Sequence, residues 1–218
     1  VKQLPSLEHE QIFWRAGFVH VAGLDEAGRG AWAGPVVAAA VILPPDPAIA
    51  ATLHGVTDSK QLTPQQREAL RARIVEVALA WGVGEASAAE IDALGIVTAT
   101  RLAMQRALDA LALAPHALLI DALRLPAVSL PQRAFPRADA LSLSVAAASI
   151  LAKTTRDARM AELEMQAPGY GFARHKGYGT RSHQQALRAL GPSAWHRRSF
   201  RPVQRALAPA LVQEVEPL

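Results

Sequence analysis

Two apolar, β-branched runs stand near the start of the chain, Phe18 to Leu24 and Val36 to Leu43. They are bounded by Gly-Pro and Pro-Pro and separated by Asp25-Glu26-Ala27-Gly28-Arg29-Gly30, which predicts two strands joined by a glycine-rich turn. Thr63-Pro64-Gln65-Gln66 predicts a helix start: threonine caps, proline suits the first helical position, and Gln66 completes a capping box. Leu70, Ile74, Val77 and Leu79 carry that helix on to about Ala80, and Trp81 to Ser87 predicts a third strand. A helix is expected from Ala88 to Leu113, broken near Gly95, with Leu102, Met104, Leu108 and Leu111 facing the core. His116 to Ile120 is a continuous apolar run ending on Asp121, as a buried strand would, and Gln132 to Asp139 predicts another strand. Leu141 to Met165 reads as a long helix opened by Ser142 or Ser144; its small residues, Ala146 to Ala148, suit close packing on a sheet. After Pro168 the texture changes to Gly, His, Tyr and Arg, with short helices expected at 182–190 and 202–212. Strands and helices mix in the order of an α/β fold followed by a helical appendage.

Composition narrows the class. With 218 residues, half of them hydrophobic, one large domain with a substantial core is expected. The chain has no cysteine, which excludes disulfides, thiolate zinc sites, iron–sulfur clusters and cysteine nucleophiles. The longest apolar run is strand-sized, well short of the roughly 18–20 residues of a membrane span. Glu8 and Glu10 precede any apolar stretch, unlike a signal peptide, so a soluble cytoplasmic protein is expected.

Charge is divided unevenly. Residues 1–121 hold 9 basic and 13 acidic residues, whereas residues 122–218 hold 14 basic and 6 acidic. No acidic residue lies between Glu164 and Glu214, a span that contains Arg174, Lys176, Arg181, Arg188, Arg197, Arg198, Arg201 and Arg205. Such a basic tail points to a polyanionic partner.

The candidate chemistry begins at Asp25-Glu26. Adjacent carboxylates in a regular strand point to opposite faces, so they share a site only where the pleat breaks, and the glycines that follow offer that break. Two close carboxylates repel unless a divalent cation or basic groups sit between them. A charged hairpin turn is the plainer reading of the same residues. Asp121 ends a strand-like run and Asp139 precedes a helix, where it also suits a helix N-terminus. Four carboxylates without His or Cys form an all-oxygen set suited to Mg²⁺ or Mn²⁺, and hard metals held this way suit phosphoryl chemistry.

Several long words in a fixed order extend the picture: GLDEAGRGAWAGPVVAAAVIL (23–43), TDSKQLTPQQREAL (57–70), LLIDAL (118–123), RADALSLSVAAASILAKTTRDARM (137–160) and GYGFARHKGYGTRSHQQALRALGPSAWHRRSF (169–200). In these, from about Val21 to Val203, the chain resembles bacterial ribonuclease HII. The resemblance implies an RNase H-like fold: a mixed five-stranded sheet flanked by helices, with a catalytic core at 15–165 and a basic, mainly helical extension at 166–218 completing the substrate groove. It implies metal-dependent cleavage of RNA in RNA/DNA hybrids and 5′ of single ribonucleotides embedded in duplex DNA, leaving 3′-hydroxyl and 5′-phosphate ends. Matched residue by residue, the metal-binding carboxylates fall on Asp25, Glu26, Asp121 and Asp139. The substrate-contacting glycine–arginine–glycine motif falls on Gly28, Arg29 and Gly30, a phosphate contact on Lys60, and the reader of the ribose–deoxyribose junction on Tyr178. Without the resemblance, Lys60 reads as a solvated lysine, and Tyr178 reads equally as a packing residue or as a glycine-flanked ring open to stacking.

The chain also departs from the family. Ala122-Leu123 follows the third carboxylate where Gly-Asn is usual, Leu141 stands at a common lysine, Gln61 replaces another, and Ala31-Trp32 replaces Pro-Leu. Trp195-His196-Arg197-Arg198-Ser199-Phe200 offers cations for phosphates, and Asp157 reads as a helix-surface charge beside Lys153 and Arg156. A monomer is expected. The competing readings are a nucleic-acid-binding module with vestigial carboxylates and another nuclease of the same fold.

Overall fold

Residues 4–207 are described by the computed structural model. The first half of the chain forms α1 (Glu8–Arg15), β1 (Val21–Ala27), β2 (Val36–Ile42), α2 (Ile49–Thr52), α3 (Pro64–Val77), β3 (Ala80–Ala86), α4 (Ala88–Leu94) and α5 (Ile96–Asp109). The second half forms β4 (Ala117–Asp121), β5 (Gln132–Phe135), α6 (Leu143–Gln166), α7 (Phe172–His175), α8 (Arg181–Leu190) and α9 (Arg201–Leu207). The strands make one mixed sheet in the order β3-β2-β1-β4-β5, with β1–β2 and β2–β3 antiparallel and β1–β4 and β4–β5 parallel.

Period-two alternation sorts the sheet's side chains into two cores. Ala22, Leu24, Ala38, Ala40, Leu118 and Ile120 pack with Ile91, Ala103 and Met104 of α4 and α5. Ala39 and Val41 pack on the opposite face with Leu70 and Ile74 of α3 and the small residues of α6. The chain is therefore helix, sheet, helix in section, and β1 lies at its centre.

Alanine and glycine bring helices and sheet unusually close. A Cβ on Gly23 would collide with the backbone of Ser144, and one on Gly84 with Ala103 O of α5. The N-terminus of α6 is capped by Ser142, whose Oγ accepts from Val145 N at 3.3 Å. Buried Glu10 of α1 reinforces it: its Oε1 accepts from Ser144 N (2.8 Å), Ser144 Oγ (2.7 Å) and Ser142 Oγ (2.6 Å). A carboxylate there complements the exposed amides of a helix start.

Several boundaries differ from the sequence pattern. β1 is displaced three residues along the chain and runs through Asp25 and Glu26, because its pairing with β2 continues to Ala27↔Val37. The α4–α5 break falls at Gly95, whose φ is +76°. β5 ends at Phe135 instead of Asp139, as the chain turns through Arg137 (φ 60°) into a 3₁₀ turn at Ala138–Ala140. Helix α6 opens at Ser142. The helix expected at 202–212 is seen as Arg201–Leu207; its remainder lies outside the described residues.

Candidate active site

Parallel strands end together at the site. The β1–β4 register runs to Leu24↔Ile120, so Asp25 and Asp121 are the next residues on adjacent strands. Glu26 lies one step further, beyond the last β1–β4 pair, and after Asp121 the backbone of Ala122 enters the left-handed region at φ 56°. Asp121 Oδ1 accepts from Ala138 N at 2.8 Å, tying β4 to the turn that carries Asp139.

The carboxylates act on one another. Burial pushes Asp25 well above the usual carboxylate range, and the charges of Glu26 and Asp121 push it further. Burial also raises Glu26, against the opposing pull of Arg29, whose Nη1 lies 3.2 Å from Glu26 Oε1. Asp139 is raised by burial, then by Asp58 and Asp121. Burial alone would lower Lys60, yet Asp58, Asp139, Asp25 and Asp121 together hold it above its ordinary value. The charge of Asp121 is thus felt by Asp25, Glu26, Asp139 and Lys60 alike.

A cleft of about 730 Å³ opens over this floor. Glu26, Gly28, Arg29, Gly30, Lys60, Asp121 and Tyr178 line it, so seven of the nine sequence-predicted site residues share one space. Asp25 and Asp139 do not line it and are buried, 4% and 6% exposed. Among the described residues no three His, Asp or Glu side chains already converge as a ligand set. What unites the four carboxylates is shared repulsion, and Glu26 Oε2 is buried with no hydrogen-bond partner. An all-oxygen, mutually repelling set with an orphaned acceptor fits a hard divalent cation.

Two buried arginines hold the walls. Arg156 Nε donates to Pro35 O (3.0 Å), Nη2 to Ala33 O (3.2 Å) and Nη1 to Lys176 O (3.0 Å), and its guanidinium carbon sits 5.4 Å from the Tyr178 ring centre. Arg197 Nε donates to Gly34 O (3.0 Å) and Nη1 to Arg29 O (2.8 Å). Backbone bonds add to these: Trp32 N to Gly177 O at 2.8 Å and Arg197 N to Trp32 O at 2.8 Å. Gly28 must be glycine twice over, since its φ is +95° and a Cβ would strike Arg156 Nε. Gly30, by contrast, faces open space.

Comparison with known proteins now decides the family. The sequence profile described as ribonuclease HII matches residues 22–203. The chain belongs to the ribonuclease HII family. It is 57% identical over 197 residues to a ribonuclease HII of Thermus thermophilus, covering 90% of this chain and 93% of that one. Ribonuclease HII of Chloroflexus aurantiacus is 55% identical over 208 residues, 94% and 97% of the two chains. Among solved structures, the RNase HII of the PCNA:RNase HII complex from Archaeoglobus fulgidus superposes with a TM-score of 0.72 at 27% identity, covering 88% of this chain and 98% of that one. The mixed five-stranded sheet with flanking helices is the fold implied by the resemblance.

Family membership explains one departure and leaves others open to inspection. The usual glycine after the third carboxylate is the residue that suits the left-handed turn here made by Ala122. Ala122, Arg137 and Lys176 are the non-glycine residues with positive φ among the described ones, each within two positions of Asp121, Asp139 or Tyr178. Arg197 is not an open phosphate contact, as its sequence neighbourhood suggests: it is fully buried and bonded to loop carbonyls. Asp157 is ion-paired with Lys153 at 2.6 Å and Arg67 at 3.7 Å. Sequence reasoning missed Asp58, which faces Asp139; its place in the Asp58-Ser59-Lys60 word beside Lys60 was the available signal.

Proposed function

We propose that Asp25, Glu26, Asp121 and Asp139 hold Mg²⁺ or Mn²⁺ and that the cleft above them binds RNA/DNA hybrids and duplex DNA carrying single ribonucleotides. The enzyme then hydrolyses the phosphodiester 5′ of the ribonucleotide, leaving 3′-hydroxyl and 5′-phosphate ends. The observation that carries this reading is the cleft itself, where Glu26, Asp121, the Gly28-Arg29-Gly30 loop, Lys60 and Tyr178 share one opening. When bound, divalent cations supply activation of water and charge stabilisation at the leaving oxygen.

The chain's own residues do the rest. Asp25 and Glu26 on β1, Asp121 at the end of the parallel β4, and Asp139 in the 3₁₀ turn at Ala138–Ala140 gather negative charge where the cations are needed. Lys60, 79% exposed at its side chain and surrounded by acidic groups, remains charged and points a cation at the phosphate path. Gly28 and Gly30 let the backbone approach a ribose closely, where a 2′-hydroxyl is read by backbone groups. Tyr178, 38% exposed and backed by Arg156, presents a ring for stacking at the ribose–deoxyribose junction. Arg174, Arg181, Arg188 and Arg201 extend the cationic surface, and the extension that begins at 166 serves, over its described residues to Leu207, as the second wall of the groove beside the core at 15–165. We assign the enzyme to the cytoplasm as a monomer.

One assay tests the whole reading. A DNA duplex with one ribonucleotide, a continuous RNA/DNA hybrid and plain DNA are each incubated with Mg²⁺, Mn²⁺ or EDTA. Cleavage just 5′ of the lone ribonucleotide, lost in EDTA and in a folded Asp121→Asn variant, is expected. Cutting of plain DNA overturns the substrate assignment, and binding without metal-dependent cleavage overturns the catalytic one.

A further inference from the structure

Behind Tyr178 lie three buried histidines that the proposed chemistry does not use: His175, His183 and His196, exposed by 8%, 0% and 1%. Their bonds can be followed from a group that can only donate to one that can only accept. Ser193 N lies 3.0 Å from His196 Nδ1, and a backbone N–H donates, so this nitrogen is the acceptor. In a neutral imidazole the proton is then on His196 Nε2, which faces His183 Nε2 at 3.0 Å. His183 Nε2 must accept, which puts its proton on Nδ1, 3.0 Å from Tyr178 O. A carbonyl only accepts, so the far end independently demands the same assignment. His175 stands apart from this chain, taking Gly177 N on Nδ1 at 3.2 Å and giving Nε2–H to Tyr170 O at 2.7 Å.

We propose that Ser193, His196 and His183 form a tautomer-locked hydrogen-bond relay that fixes the Tyr178 carbonyl, making the two histidines positioning residues for the junction-reading ring. The relay rests on the assignment of Tyr178 to the substrate. Its physical content is directional. A proton on His183 Nε2 would set N–H against N–H across 3.0 Å, and a flipped tautomer of His183 would also set a lone pair against the carbonyl of Tyr178. Burial, aided by His175 for His183 and by His183 and His175 for His196, keeps both neutral, with pKa values of about 4. The same carbonyl also accepts from Thr180 N at 2.8 Å, and Tyr178 N donates to His175 O at 3.0 Å, so the residue is held from both sides.

The test combines a tautomer measurement with substrate discrimination. In histidine ¹⁵N NMR of the intact protein at neutral pH, His183 is expected as the Nδ1–H form and His196 as the Nε2–H form. His196→Phe keeps a ring but removes the donor. It is expected to leave His183 Nδ1–H on the Tyr178 carbonyl but its Nε2 unpaired, read as a changed ¹⁵N shift of that nitrogen, and to lower cleavage at a single embedded ribonucleotide, relative to a continuous hybrid, by roughly ten- to a hundredfold. His196→Gln accepts from Ser193 and donates to His183, and is expected to restore both readouts. A wild-type His183 in the Nε2–H form overturns the relay, as does a folded His196→Phe protein with unchanged discrimination while Tyr178→Ala lowers it. If Tyr178→Ala itself leaves discrimination unchanged, the Tyr178 assignment falls and the tautomers alone decide the relay. If His196→Phe does not fold, the wild-type tautomers and the glutamine variant decide it.

Discussion

At Ala122 the backbone sits at φ 56°, a region that disfavours a Cβ by roughly 1–2 kcal/mol. Glycine would relieve that strain while adding freedom to the unfolded chain, so Ala122→Gly is expected to stabilise the protein by about 0.5–1 kcal/mol, read as a higher urea midpoint. An unchanged or lower midpoint would show that the turn is not strained. Asp25 is the opposite case, a carboxylate whose burial costs stability. It is 4% exposed and repelled by Glu26 and Asp121. Asp25→Asn is expected to raise the melting temperature in EDTA, to abolish cleavage, and to shrink the melting shift on adding Mn²⁺; a full Mn²⁺ shift in the variant would remove Asp25 from the metal site. Asp25 and Glu26 stand out in the sequence as neighbouring carboxylates before a glycine turn, whereas Asp121 and Asp139 joined the proposed set through the family-like words around them. Arg156 and Arg197 were not legible, since an arginine bonded to carbonyls more than a hundred positions away looks like any surface cation until the chain is folded.

At the scale of elements, the pattern of apolar residues located the five strands and the long helices but misplaced several ends. The α3 capping box was visible because it is local: Thr63 Oγ1 accepts from Gln66 N at 3.2 Å, and Gln66 Oε1 from Thr63 N at 2.8 Å. The limits of β1 and β5 were not, because they depend on where a neighbouring strand stops pairing, which hydrophobicity does not encode. Helix α1 also escaped notice, although its Glu10 reaches across to cap α6. Replacing Glu10 by alanine leaves Ser142 Oγ, Ser144 Oγ and Ser144 N without that acceptor. A loss of about 2–4 kcal/mol is expected, measured by chemical denaturation. A loss below about 1 kcal/mol would mean that water replaces the carboxylate.

For the whole molecule, acid is the revealing variable. His183 and His196 are held near 4 in the folded chain, against about 6.5 when unfolded. At these two sites the unfolded state therefore binds more protons between those values, so their contribution to stability is complete above about pH 6.5 and is lost as pH drops toward 4, while the raised Asp25, Glu26 and Asp139 act in the opposite sense. The limiting slope is about 1.4 kcal/mol per pH unit for each histidine. His175 and Tyr170 are the titratable rings packed against this pair, beside Phe172, Trp32 and the relay partners Ser193 and Tyr178. Urea midpoints at pH 7 and pH 5 should differ in the wild type and differ less in His196→Gln. Equal sensitivity would place the acid response elsewhere. The mild net charge of +4 conceals the division between an acidic floor and a basic tail, which was readable from the chain. How the tail is bonded to the loops beside that floor was not.

That bonding sets a timetable for synthesis. A chain emerging from the ribosome can pair β1 with β2 once Ile42 is free, but Asp25 meets Asp121 only after β4 arrives. The Arg29 carbonyl and Trp32 wait longer still, for Gly177 and Arg197. A nascent chain halted before Arg197 would carry all four carboxylates and yet lack a fixed glycine loop, so nuclease activity should switch on late, only once Arg197 has emerged.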